Sequence, residues 1–176
     1  MFNDVLAMML MNFSCTMFLL AVFFMIVNGL VTRGRVSKYE IIFRWMTLFC
    51  LGFSGVYGFV IHACFPMLAA ATIGWIDSPF QFEVAVANMA FGVLGIAAFR
   101  ASIGFRTAAI LGNVIWLWGD AVGHLNQLFT FNNFMLGNAG SWLWMDILVP
   151  AILVICLYQL RKQPVRKVRQ YFANHH

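Results

Sequence analysis

Residues 115–129 read IWLWGDAVGHLNQLF, an apolar run broken by Asp120 and His124. How this stretch is read decides the fold, because an Asp and a His inside an apolar helix need surroundings that suit both kinds of side chain. The composition supplies those surroundings: 62% of the 176 residues are hydrophobic and 10% are charged, against roughly a quarter charged in a soluble domain. That balance excludes an ordinary soluble enzyme and points to an integral membrane protein.

About 20 apolar residues are needed to cross a bilayer core roughly 30 Å thick. Five such runs are read here: Val5–Thr32, Ile41–Phe65, Phe80–Phe99, Thr107–Phe129 and Trp142–Leu160. The expected fold is all-α, a five-helix transmembrane bundle over 1–160 followed by a basic tail at 161–176. The N-terminus carries Asp4 and no basic segment, and it stays apolar beyond signal-peptide length, so it is read as a retained first helix. Cys15 lacks the aliphatic residue that precedes a lipidated Cys and is not read as a lipid anchor.

Lys and Arg near span ends mark the cytoplasmic side. With the N-terminus outside, all 11 basic residues fall on that side: Arg33, Arg35, Lys38 and Arg44, then Arg100 and Arg106, then Arg161, Lys162, Arg166, Lys167 and Arg169. Of the 6 acids, Glu40 alone joins them. The location expected is the bacterial inner (cytoplasmic) membrane, with the C-terminus cytoplasmic. A basic cluster directly after a span is a topology signal and a contact for anionic lipids rather than a nucleic-acid footprint. Cys15, Cys50, Cys64 and Cys156 show no paired spacing and read as small hydrophobes. Glycines at 52, 55 and 58, at 92 and 95, and at 119 and 123 favour close helix packing.

At about 100° per residue, Asn113, Trp116, Asp120, His124 and Gln127 share a stripe roughly 80° wide. An ionisable residue at membrane depth costs about 2.5–3.5 kcal/mol even on insertion scales, so this stripe faces protein or water. In DSPFQFE, Ser78 is a suitable N-cap, Pro79 a first helical residue and Gln81 the far member of a capping box. Counting depth at about 1.5 Å per residue sets Glu83, His124 and Asp146 at one level, with Asp120 and Asn88 a turn deeper and His62 within reach. Glu83 and Asn88 point opposite ways on their helix, so one of them stands outside the cluster. Pro150 removes the helical partner of the carbonyl at residue 146.

Three readings of this cluster compete. Glu83, Asp120, His124 and Asp146, with His62 as a weaker member, form an oxygen and nitrogen ligand set suited to a divalent metal such as Zn or Mn. Asp120 orienting His124 would instead suit proton exchange. A hydrogen-bonded network that only specifies packing needs no ligand. Haem on His62 and His124 is disfavoured by the surrounding carboxylates.

The blocks GWIDSPFQFEVAVANMAFGVLGI, LWGDAVGHLNQ and NFMLGNAGSWLWMDILVP resemble an uncharacterised family of small bacterial integral membrane proteins known as a domain of unknown function. The resemblance implies a bacterial inner-membrane protein with Glu83, Asn88, Asp120, His124, Asn138 and Asp146 on the outer side, and it supplies no activity. The Asn-rich loop FNNFMLGNAGSW is a turn between two helices or a lid above the cluster. The expected function is binding of a divalent cation or a small cationic or protonatable ligand at Glu83, Asn88, Asp120, His124 and Asp146, in transport or in a membrane-embedded reaction. The alternative is a non-catalytic structural or assembly subunit. Expected partners are the bilayer, anionic lipids at the tail, and a homo-oligomer or larger membrane complex.

Overall fold

The computed structural model describes residues 2–162. Those residues are helical with no strand among them, in the order α1 (Phe2–Met11), α2 (Phe13–Thr32), α3 (Lys38–Met46), a π-helical stretch (Thr47–Phe53), α4 (Ser54–Cys64), α5 (Pro66–Ile73), α6 (Phe80–Ala98), α7 (Ile103–Phe131), α8 (Leu136–Ala139) and α9 (Ser141–Lys162). The tail residues Arg166, Lys167 and Arg169 lie outside the described residues.

Among the described residues, four helices are long and apolar enough to cross a membrane: Phe13–Thr32, the continuous Lys38–Cys64, Phe80–Ala98 and Leu136–Lys162. The first expected span is therefore shorter than its sequence suggested. At Asn12 the backbone leaves helical geometry (φ −110°, ψ 41°), because the Asn side chain bonds back to the Met8 carbonyl and ends α1 there. The fourth expected span lies within α7, which at 29 residues is long enough but too polar to meet the same standard of composition.

Element ends follow their sequence. Ser102 caps α7 by accepting from the Phe105 N–H, and α5 begins on Pro66 and ends on Gly74 at φ 76°, the left-handed geometry that glycine tolerates best. The capping box expected at the start of α6 is not formed. Pro79 sits at the cap position without a side-chain cap, and Gln81 is engaged elsewhere.

The helices pack as a bundle in which α3 meets α2 and α9, α6 lies along the π-helical stretch and α4, and α7 runs beside α9. Phe43, Met46, Ile110, Val149 and Leu153 fill its core. The α4–α6 crossing is so close that a Cβ on Gly55 would lie 2.7 Å from both the Asn88 carbonyl oxygen and the Gly92 Cα. Gly119 behaves differently from the tight packing expected of it: nothing lies within 4 Å of where its Cβ would be, because the neighbouring space is a cavity.

At one end of the bundle, Arg106 on α7 pairs through both terminal nitrogens with Glu40 on α3, at 2.7 and 2.9 Å. It also donates to the carbonyls of Ala98 and Phe99 and lies over the Phe43 ring at 4.7 Å. Arg44 pairs with the same Glu40 from the next helical turn. Sequence reading treated these basic residues as topology markers alone, yet here they also join three segments of chain.

Candidate functional site

The other half of the bundle holds a cavity of about 510 Å³, within the 300–1,000 Å³ typical of small-molecule pockets. Its walls are mostly apolar, with Leu10 and Met11 of α1, Ile61 of α4, Phe91 of α6, and Trp142 and Met145 of α9 among them. Into it face His62, Asn88, Asn113, Trp116, Asp120, His124 and Asp146. Glycines 119 and 123 on α7 keep the space open beside Asp120.

The loop above the cavity folds against α5. Asn133 donates to the Ile73 carbonyl at 2.9 Å, and a Cβ on Gly137 would lie 2.8 Å from the Thr72 carbonyl oxygen. Asn138 is fully buried and joins three segments. Its amide nitrogen donates to the carbonyls of His124 (3.2 Å) and Asn133 (2.9 Å), while its oxygen accepts from Trp75 Nε1 at 3.3 Å and meets His124 Nδ1 at 2.9 Å.

This network determines the state of His124. An indole N–H only donates, and backbone carbonyls only accept, so the Asn138 amide has one consistent orientation. Its oxygen then faces His124 Nδ1, which must carry the proton. In the neutral ring Nε2 is left as the lone-pair nitrogen, and it lies 4.0 Å from the Asp146 carboxylate. That gap is too long for a hydrogen bond. The Trp75 ring stands 5.5 Å from the imidazole, centre to centre.

His62 repeats the pattern. Gln81 Nε2 donates to the Pro66 carbonyl at 2.9 Å and to Asp77 Oδ1 at 3.3 Å, which turns Gln81 Oε1 towards His62 Nδ1 at 2.5 Å. The His62 proton is again on Nδ1, and its Nε2 has no hydrogen-bonding partner among the described residues.

Of the residues expected at the site, Asp120, His124, Asp146, Asn88 and His62 border one cavity. Asn88 donates to the Val84 carbonyl of its own helix. Glu83 is exposed on the opposite face of α6 and is not among the residues bordering the cavity, as the opposed directions of Glu83 and Asn88 on one helix allowed. Asp146 is 8% exposed, and neither it nor Asp120 has a hydrogen-bonding partner among the described residues. Trp116 Nε1 is buried without a hydrogen-bonding partner among the described residues, one turn below Asp120, its ring stacked on Phe91. No three His, Cys, Asp or Glu side chains among the described residues stand together as a metal ion would require. Glu83, the intended fourth ligand, is on the wrong side of α6.

Sequence reading overlooked Trp75, whose indole orients the Asn138 amide, and took Gln81 for a helix cap. A Trp in a short loop between helices was the available signal for the first. The second depended on where α4 and α6 meet, which no local pattern records.

Residues 11–166 match a family of unknown function, DUF6790, and the chain belongs to that family. No curated protein and no solved structure matches it.

Proposed function

We propose that this DUF6790 member is a five-span protein of the bacterial inner membrane, N-terminus outside and C-terminus cytoplasmic, whose outward-opening cavity binds a small ligand with an apolar body and a cationic or protonatable head. Support for α7 as the fifth span comes from its outer face, where Leu111, Ile115 and Val122 are more than half exposed. Arg106, Asn113, Asp120 and His124 are buried or half-buried instead, which lowers its average hydropathy without putting charge against lipid. Support for the orientation comes from the basic residues, which gather at the α2–α3 turn, the α6–α7 turn and the end of α9.

One observation carries the binding reading: Asp120, Asp146, His62 and His124 border one apolar cavity, and among the described residues the two carboxyl groups and the two Nε2 atoms have no hydrogen-bonding partner. Buried polar groups are ordinarily hydrogen-bonded, and exceptions gathered in a cavity favour a ligand that completes them. The protonatable-ligand half of the expectation is favoured over Zn or Mn, because the side chains do not gather as metal ligands. Anionic lipids at Arg161 and Lys162, and assembly into a homo-oligomer, belong to the same reading.

The test uses the full chain in lipid nanodiscs and dansylcadaverine, a primary amine on an apolar fluorophore. Saturable binding by the wild type, lost in Asp120→Asn/Asp146→Asn, is the expected result. Absence of saturable binding would overturn the reading, and stoichiometric metal found by elemental analysis would replace it with the metal site. A structural or assembly role is favoured by a single feature, the Trp75–Asn138–His124 network, which is complete without any ligand. Failure of amine binding together with co-purification of a fixed partner would select that role.

A further inference from the structure

Apart from the Trp116 indole, the open hydrogen-bonding groups of the cavity singled out above are acceptors. Several of its polar residues have already directed their donors at protein acceptors: Ser54 to the Phe49 carbonyl, Tyr57 to the Leu10 carbonyl, Thr72 to the Leu68 carbonyl and Trp75 to Asn138. The two histidines have done the same with Nδ1, His62 towards Gln81 and His124 towards Asn138. Each amide is oriented by a partner of fixed sense, the Pro66 carbonyl in one case and the Trp75 indole in the other. What remains among the residues bordering the cavity includes a set of acceptors: the carboxyl groups of Asp120 and Asp146 and the lone-pair nitrogens of His62 and His124.

We infer that the ligand's head is a primary ammonium group, a cation with several N–H donors, received at the pair formed by Asp146 and His124 Nε2, 4.0 Å apart, with Asp120 and His62 Nε2 as further acceptors on the same cavity. This inference rests on the binding reading above and names its ligand class. A quaternary ammonium has the charge but no donor, and would leave all four acceptors unpaired. An anion would meet two carboxyl groups. A primary ammonium offers three N–H bonds and one positive charge, and so pairs with up to three of these acceptors and offsets the cost of burying one carboxylate, several kcal/mol per unpaired ion. The apolar walls at Phe91, Trp142 and Met145 then receive the body of the molecule. Trp116 Nε1, an open donor one turn deeper, suits an acceptor on that body rather than on its head.

The experiment is displacement of dansylcadaverine from the nanodisc-embedded full chain by phenethylamine and by its N,N-dimethyl and N,N,N-trimethyl derivatives. The expected order is primary, then dimethyl, then trimethyl, with the trimethyl compound at least roughly tenfold weaker than the primary amine, the scale of charge-assisted hydrogen bonds. His62→Leu removes one acceptor and leaves the Asn138 network intact, and it is expected to narrow that preference. Equal displacement by all three amines would overturn the inference while leaving the cavity as a cation site. A preference unchanged in His62→Leu would also overturn it, since discrimination would then be steric. No saturable dansylcadaverine binding at all would instead remove the binding reading beneath it.

Discussion

The two ends of this bundle each bury charge among apolar helices, and they do it in opposite ways. At the basic end, Arg106 donates to Glu40 twice and to two backbone carbonyls, and Arg44 adds a second cation to the same carboxylate. Arg106 and Glu40 there complete one another within the chain, and Arg44 adds an ion pair. At the other end, Asp120 and Asp146 line a cavity with no hydrogen-bonding partner among the described residues, beside two imidazoles whose tautomers are set by Gln81 and Asn138. The difference teaches what separates a fastening from a site. A buried ion pair completed by protein joins helices, whereas open acceptors beside a cavity are the groups the proposed ligand would engage.

This contrast can be broken most sharply at Arg106. Arg106→Ala leaves Glu40 with one cation and removes the side-chain donors of the Ala98 and Phe99 carbonyls, and the expected loss of stability is about 3–5 kcal/mol. Thermal unfolding in nanodiscs measures it, and a loss below about 1 kcal/mol would mean the clamp is replaceable by water.

The crossing between the two ends comes next. Gly55→Ala drives a methyl against the Asn88 and Gly92 backbone, and overpacking of this kind costs about 1–3 kcal/mol. The same unfolding assay reports it, with Gly119→Ala as the neutral comparison because the cavity receives that methyl. Equal effects of the two would contradict the difference in space around them.

A third variant, Asn138→Ala, strands the donors of Trp75 and His124, at about 1–3 kcal/mol. It also releases the imidazole to either tautomer. NMR of ring-labelled histidine is expected to show the Nδ1–H form in wild type and a mixture in the variant. A single tautomer in both would mean that Asn138 does not govern the ring.

The smallest effect is expected where the contrast is sharpest. Asp120→Asn removes a group with no hydrogen-bonding partner, so stability is expected to stay within about 0.5 kcal/mol of wild type, while amine binding falls. A large destabilisation would move Asp120 from the site to the scaffold.

Much of the helical layout was legible along the chain, because apolar runs of membrane length and their flanking charges are local properties. The cluster was partly legible for the same reason: Trp116, Asp120 and His124 recur at four-residue spacing on one helix, so their common face follows from helical periodicity. Glu83 and Asn88 illustrate the limit. Periodicity showed that they oppose one another on α6, but only the packing of α6 against α4 decides which of them faces inward, and it is Asn88, held beside Gly58. Gln81 had two plausible partners, its own helix end or a neighbouring helix, and the neighbouring helix prevailed because His62 and the Pro66 carbonyl lie together at the turn into α5.

By itself, then, the sequence determined a chain of apolar helices, a basic end and an inward polar stripe on α7, since each depends on hydropathy and spacing within one segment. The tertiary structure alone decided the rest: the Arg106–Glu40 clamp, the cavity that Gly119 and Gly123 keep open, and the tautomers of His62 and His124. Those depend on atoms far apart in the chain, brought within hydrogen-bonding distance by how closely the helices approach, and no pattern along a single helix encodes that distance.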